Sequence, residues 1–308
     1  MITYWYRSVR EDKLTEQPKF RTGTWIHVEA PTAEEATLLT EKFGIDPDLL
    51  ADALDPDEIP RLEAEGEQLY VYMRYASRTG AQVSTSPVLL VVGPKFVASI
   101  SRHAVPDLTR FMKSPTLFTT QRPKLLLQLM RHMVGSYEQT GTFLTRQIRS
   151  VRARLNVETI ANRDFISFVI IEDALNNFLS ELVPTGLLLN QLLSGRSSLT
   201  FFEDDRDLIE DLIQSTRQLT ETSRGSLRTV VNIREAYSNI MTNNLNRQVK
   251  LLTSLTVVLT IPTIVFSFYG MNIPIPASHS NLDFPLVLGG TLAACGVALY
   301  VLYRRRWL

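Results

Sequence analysis

Two apolar runs near the C-terminal end constrain this chain more than anything else in its 308 residues. Residues 251–269 and 284–303 contain no Asp, Glu, Lys or Arg. An α-helix needs about 20 apolar residues to cross the hydrocarbon core of a bilayer. A single run of this length is sometimes a buried core helix, but two of them separated by a short loop favour the membrane. The flanks set the orientation. Arg247 and Lys250 precede the first run, Arg304, Arg305 and Arg306 follow the second, and the loop 270–283 has neither Lys nor Arg. The excess of basic residues on the cytoplasmic side of membrane proteins then predicts cytoplasmic termini, an outer loop, and a multi-pass protein of the cytoplasmic membrane.

The remainder reads as a soluble body. Charges balance to zero over the whole chain, but residues 1–249 hold 31 acidic and 28 basic side chains, and residues 250–308 only five charges. A balanced, slightly acidic body argues against nucleic acid, whose binding asks for a basic face. The one cysteine, Cys295, excludes an intramolecular disulfide and a Cys-based zinc cage, and its apolar setting assigns it to packing. The opening MITYWYRSVREDK has charges and no apolar h-region, so no signal peptide is expected.

The first hundred residues mix short β-like runs (2–6, 23–28, 68–74) with helical stretches. Thr32 and Glu35 have the spacing of a capping box, and 87–92 with 95–100, joined at Gly93-Pro94, form a hairpin pattern. Beyond about residue 114 the pattern is helical, over 124–155 and 164–193, with a break at 194–198. From Glu203 the next proline is Pro262, and the interval holds one glycine, Gly225. One helix therefore runs from the body into the first span, over roughly 90–100 Å at 1.5 Å per residue. The division expected is a mixed α/β domain over 1–115, a helical stalk region over 116–249 and a membrane domain over 250–308.

Stepping along the long helix by alternating threes and fours, the spacing of a packed seam, meets Glu235, Asn239, Thr242, Asn246, Val249, Thr253, Thr256, Thr260, Thr263 and Ser267. All but Val249 are polar. Hydroxyls in a membrane helix often bond to their own i−4 carbonyls at little cost, which accounts for any one of them but not for their keeping to one face. Two readings remain, hydrogen-bonding glue between helices and the wall of a water-filled path. Two spans alone enclose no pore, whereas several copies arranged in a ring do. Pro262 has no N–H for the carbonyl of Val258, which needs another partner. The second span carries small residues instead, among them Gly289, Gly290, Ala293, Ala294 and Ala298, suited to close packing.

At the outer end of the stripe stands Tyr269-Gly270-Met271-Asn272. Placed directly after a first span, with a second span a dozen residues on and a basic tail, it resembles the YGMN signature of the CorA metal-ion transporter family. Asn246-Arg247-Gln248-Val249-Lys250-Leu251-Leu252-Thr253 resembles the family's pore-helix entry, and Glu235-Ala236-Tyr237-Ser238 its preceding turn. Asp57-Glu58-Ile59-Pro60-Arg61-Leu62-Glu63 is similar to a family segment before a core strand. The resemblance implies an α+β fold: a cytoplasmic α/β domain, a long helical stalk and two C-terminal spans, assembled as a homopentameric funnel channel. Tyr269, Gly270, Met271 and Asn272 would form the outer selectivity ring. Asn246, Val249, Leu252, Thr253, Thr256, Thr260 and Thr263 would line the path, with Val249 and Leu252 as a hydrophobic constriction. Mg²⁺ would be the main cargo, beside Co²⁺ and Ni²⁺. A hard ion reluctant to lose its waters suits a ring of neutral amide and hydroxyl oxygens that binds weakly enough to release it.

Two departures from the family stand out. Its acidic outer loop is here IPIPASHSNLD, with Asp283 the single acid. Its cytoplasmic metal-sensing site, which pairs acids across subunits, would fall to Asp207, Asp211 and Glu235 within a wider group that includes Asp204, Asp205 and Glu210. Yet Ala76-Ser77 stands where the partner acid belongs, and a solvated acidic helix face explains the group as well. The histidines His27, His103, His132 and His279 are scattered, with no HExxH, P-loop, GxGxxG or GxSxG, so no enzyme and no resident cofactor are expected. The alternatives are a zinc or other transition-metal transporter of the same superfamily, and a membrane-anchored sensor or scaffold, for which a polar face in the first span has no use.

Overall fold

In a computed structural model the described residues are 1–154, 162–195, 199–271, 283–305 and 307. They form two compact units, Met1–Ile233 and Arg234–Leu308.

The first unit is built on one seven-stranded sheet. In chain order its strands are β1 (Ile2–Tyr6), β2 (Thr15–Gln17), β3 (Thr24–Glu29), β4 (Arg61–Glu65), β5 (Gln68–Thr79), β6 (Gln82–Val92) and β7 (Phe96–Ser101). Their spatial order is β2-β1-β3-β7-β6-β5-β4. Only β3 and β7 pair in parallel, a juxtaposition that requires a crossover. The expected hairpin at Gly93 is present as β6–β7, closed by the Gly93 N–H on the Phe96 carbonyl at 3.0 Å. It extends a longer β5–β6 hairpin that turns at Gly80. The edge strands β2 and β4 and the first half of β6 lay outside the expected runs because polar, half-exposed strands lack the apolar alternation that reveals a strand.

Helix α1 (Ala33–Phe43) begins as its sequence dictates. The Glu35 N–H donates to Thr32 Oγ1 at 3.2 Å and the Thr32 N–H to Glu35 Oε2 at 3.0 Å. Gly44, at φ 66°, ends it in the left-handed region that glycine enters without strain. A short α2 (Pro47–Asp52) follows, capped by the Asp46 carboxylate. Both lie on one face of the sheet, against Ile26, Tyr70, Tyr72, Leu89 and Val91. After α3 (Leu108–Met112), three long helices begin: α4 (Arg122–Arg154), α5 (Asn162–Leu193) and α6 (Glu203–Tyr269). Parts of them cover the opposite face, where Leu69, Val71, Met73 and Val88 meet Leu126, Met130, Leu189 and Ile209. Successive β5 residues thus alternate between two buried faces, and residues 69–73 read as an unbroken apolar run.

A charged pair is buried where the sheet meets α4 and α5. Arg74 Nε lies 2.7 Å from Glu181 Oε1, both side chains less than a tenth exposed. The N–H is not aimed along this contact, so it is an ion pair rather than a hydrogen bond. The other guanidinium nitrogens donate to the carbonyls of Pro56 (2.8 Å), Glu58 (2.7 Å) and Thr85 (3.3 Å). Tyr137 OH and Thr85 Oγ1 donate to the Glu181 carboxylate. Burial pushes the carboxyl upward in pKa, and the Thr85 hydroxyl, Arg74 and Tyr137 pull it back.

Candidate cation-conducting site

The C-terminal unit consists of the last part of α6 and α7 (Asp283–Arg304). Both helices are long and apolar enough to span a membrane. Within the apolar runs 251–269 and 284–303 only Ser254 and Thr291 are buried, while Leu255, Leu259, Ile264, Leu292 and Val297 are exposed. That is the reverse of a water-soluble core. It fits helices that meet through small side chains and turn their bulk toward lipid.

The less exposed positions define the contacting faces. Over residues 251–269 of α6 they are Ser254, Val258, Ile261, Pro262 and Val265; on α7 they are Val287, Thr291, Cys295, Ala298 and Leu302. At 3.6 residues per turn, the stripe Val249, Thr253, Thr256, Thr260, Thr263 and Ser267 centres about 180° around α6 from its α7-facing side. All six are exposed, Val249 at 53%, as is Leu252 at 63%. Lower down, Asn239, Thr242 and Asn246 are exposed too. So are Ile240, Met241 and Leu245, apolar side chains ahead of the span that none of the described residues covers.

The threonine hydroxyls bond back along the helix: Thr256 to the Leu252 carbonyl at 2.9 Å, Thr260 to Thr256 at 2.7 Å and Thr263 to Leu259 at 2.9 Å. This local bonding coexists with a polar face. Each hydroxyl commits its proton to the backbone and keeps its lone pairs free. A row of such oxygens accepts hydrogen bonds, the chemistry needed to face the water protons around a hydrated cation.

At the C-terminal end of α6, the Gly270 N–H donates to the Phe266 carbonyl at 2.9 Å, closing its last turn. A Cβ at position 270 would sit 3.2 Å from that same carbonyl oxygen, so a side chain there would crowd the turn. Tyr269 and Met271 are half exposed. Asn272, His279 and most of the expected outer loop lie outside the described residues.

The acids of α6 fall in varied settings. Asp205 is buried and accepts the Phe202 N–H at 3.2 Å, so it caps the helix start rather than offering a free carboxylate. Asp204 and Asp211 line a cavity together with Lys124, Arg131 and Glu138 of α4. Asp207 and Glu235 are exposed. Among the described residues no three His, Cys, Asp or Glu side chains gather as a metal cage. His27 lies between Glu29 Oε1 (3.1 Å) and Ser99 Oγ (2.9 Å), and His132 Nε2 contacts the Pro106 carbonyl at 2.8 Å, both structural roles.

The model of the CorA-like Mg2+ transporter protein family matches residues 21–305. This chain belongs to that family. It is a CorA-family divalent metal-ion transporter, a membrane protein rather than an enzyme. A curated relative is the cobalt/magnesium transport protein CorA of Methanocaldococcus jannaschii, 24% identical over 296 residues, 92% of this chain and 91% of that one. Another is the putative metal ion transporter YfjQ of Bacillus subtilis, 22% identical over 292 residues, 89% of this chain and 86% of that one. The complete structure of the CorA magnesium transporter from Methanocaldococcus jannaschii superposes with a TM-score of 0.86 at 20% identity, covering 100% of this chain and 99% of that one. The CorA fold therefore accounts for the sheet domain, the long helix and the two C-terminal apolar helices.

Proposed function

We propose that this chain forms a homopentameric channel in the cytoplasmic membrane that passes Mg²⁺, with Co²⁺ and Ni²⁺ as lesser cargo, both termini being cytoplasmic. The observation that carries the reading is the acceptor face of α6, uncovered and about opposite the face that meets α7. Such a face gains nothing from lipid and is useful in a ring, where copies turn it toward a common aqueous axis. In this reading Asn272, with Tyr269, Gly270 and Met271, forms the outer ring. Asn246, Thr253, Thr256, Thr260 and Thr263 line the path, and Val249 and Leu252 narrow it. Oxygen acceptors without thiolate or imidazole favour a hard cation over zinc. Uptake into reconstituted vesicles, measured for Mg²⁺, Co²⁺, Ni²⁺ and Zn²⁺ separately, tests the cargo; a preference for Zn²⁺ over Mg²⁺ would overturn it. Mass in gentle detergent tests the assembly, the expected protein mass being five times 34.9 kDa.

Regulation is part of the same proposal. Asp207, Asp211 and Glu235 bind cytoplasmic Mg²⁺ and screen repulsion between neighbouring copies, favouring closure. Substituting all three by Asn or Gln is expected to weaken inhibition of currents by internal Mg²⁺, and unchanged inhibition would leave these acids as a solvated face.

A further inference from the structure

Pro262 lies inside α6 and provides no N–H to the carbonyl of Val258, one turn earlier. In hydrocarbon an unpaired carbonyl finds no water, so it needs another donor. The nearby hydroxyls do not meet that need: Thr256, Thr260 and Thr263 donate to Leu252, Thr256 and Leu259. What reaches the Val258 oxygen is the thiol of Cys295 on α7, with Sγ at 3.8 Å. Val258, Pro262 and Cys295 all lie among the less exposed positions where the two helices face each other.

We propose that Cys295 is a positioning residue for the α6 path helix, its S–H replacing the N–H that Pro262 lacks. Two features join to give the thiol this role. The proline interrupts the backbone ladder on the α7-facing side, and the only cysteine in the chain is placed one helix away at the freed carbonyl. A thiol is a weak donor, but a small one. It closes the gap while letting α7 stay near α6, where a longer amide or hydroxyl-bearing side chain would push it away. By tethering α6 at the interruption it fixes the angular placement of Thr260 and Thr263, one residue to either side of the Ile261-Pro262 pair, relative to Thr256 below. The functional consequence rests on the channel reading of that face; the hydrogen bond itself does not.

The test separates the two. With a single cysteine in the chain, the S–H stretching band in the infrared spectrum of the full-length protein in lipid vesicles belongs to Cys295 alone. The band is expected at the lowered frequency of a hydrogen-bonded thiol, and to move toward the free-thiol position in Pro262→Ala, where an amide N–H takes the carbonyl. A free-thiol band in the unaltered protein overturns the bond. Mg²⁺ uptake at equal membrane expression then reads the positioning role. Cys295→Ala is expected to lower it roughly fivefold, the effect of a hydrogen bond worth about 1 kcal/mol, and Cys295→Ser, which keeps a donor, to stay near the unaltered rate. In the Pro262→Ala background Cys295→Ala is expected to change nothing further. A loss that persists undiminished in that background, or no loss at all, overturns the positioning role. If no variant or parent transports Mg²⁺ while the band is lowered, the channel reading fails and the bond stands.

Discussion

The unit of residues 1–233 and the two apolar helices bury opposite kinds of residue. In the sheet domain Trp25, Tyr70, Tyr72, Leu69 and Leu89 are almost wholly enclosed, and even an ion pair is taken inside with its hydrogen bonds arranged around it. In the apolar runs 251–269 and 284–303 the enclosed residues are Ser254 and Thr291, while leucines, valines and phenylalanines stand exposed. Water drives apolar area inward in the first case. In the second the hydrocarbon solvates it, and what must be hidden is the polar backbone and whatever hydroxyls are not otherwise placed. A stripe of hydroxyls left on the open side is therefore informative in α6 and would mean little on a helix of the body.

The comparison breaks most visibly at the outer mouth. Asn272→Ala is expected to reduce Mg²⁺ uptake to background while leaving the thermal unfolding of the sheet domain and the assembly mass unchanged, since in the proposed channel Asn272 contributes to the path and not to a core. Asn272→Gly discriminates further, because glycine would preserve a purely capping role. Uptake near the unaltered rate in that variant would remove Asn272 from the ring.

Inside the body, Glu181→Ala is expected to cost about 3–5 kcal/mol of stability by leaving Arg74 buried without its counter-charge. Urea unfolding of the detergent-solubilised protein, followed through the sheet domain, measures this. A change under about 1 kcal/mol would mean that water reaches Arg74. The smallest effect belongs to the helix cap: Thr32→Ala is expected to cost about 1 kcal/mol, read by the same unfolding curve with uptake unaffected. Together Asn272→Ala, Glu181→Ala and Thr32→Ala separate function without stability, large stability without path contact, and a local surface contribution.

Much of the candidate site was legible because membrane helices advertise themselves. The charge-free runs, the Thr/Ser/Asn spacing and Tyr269-Gly270-Met271-Asn272 are local patterns, and both helices appear where those patterns place them. The capping box at Thr32 and the Gly93 hairpin were legible for the same reason, each resting on contacts between near neighbours in the chain. Contacts between distant residues left no such trace. Glu181 sits in an apolar helical stretch with nothing nearby to announce Arg74, 107 positions earlier; only the packing of α5 on the sheet pairs them. Asp205 read as one acid in a cluster, and its burial as a helix cap shows only once Phe202 is positioned.

Sequence alone determined the number of membrane helices, the polar side of α6 and the family signature, because length, charge and helical period are properties of consecutive residues. It also showed that Pro262 leaves the Val258 carbonyl without its usual partner. Which atom answers that need was decided by tertiary structure, since Cys295 lies 37 positions away and reaches it only when α7 is laid against α6. The same is true of the bearing of the hydroxyl stripe. Its existence follows from spacing, but that it lies opposite α7, on a side the described residues leave open, depends on which face of each helix meets the other.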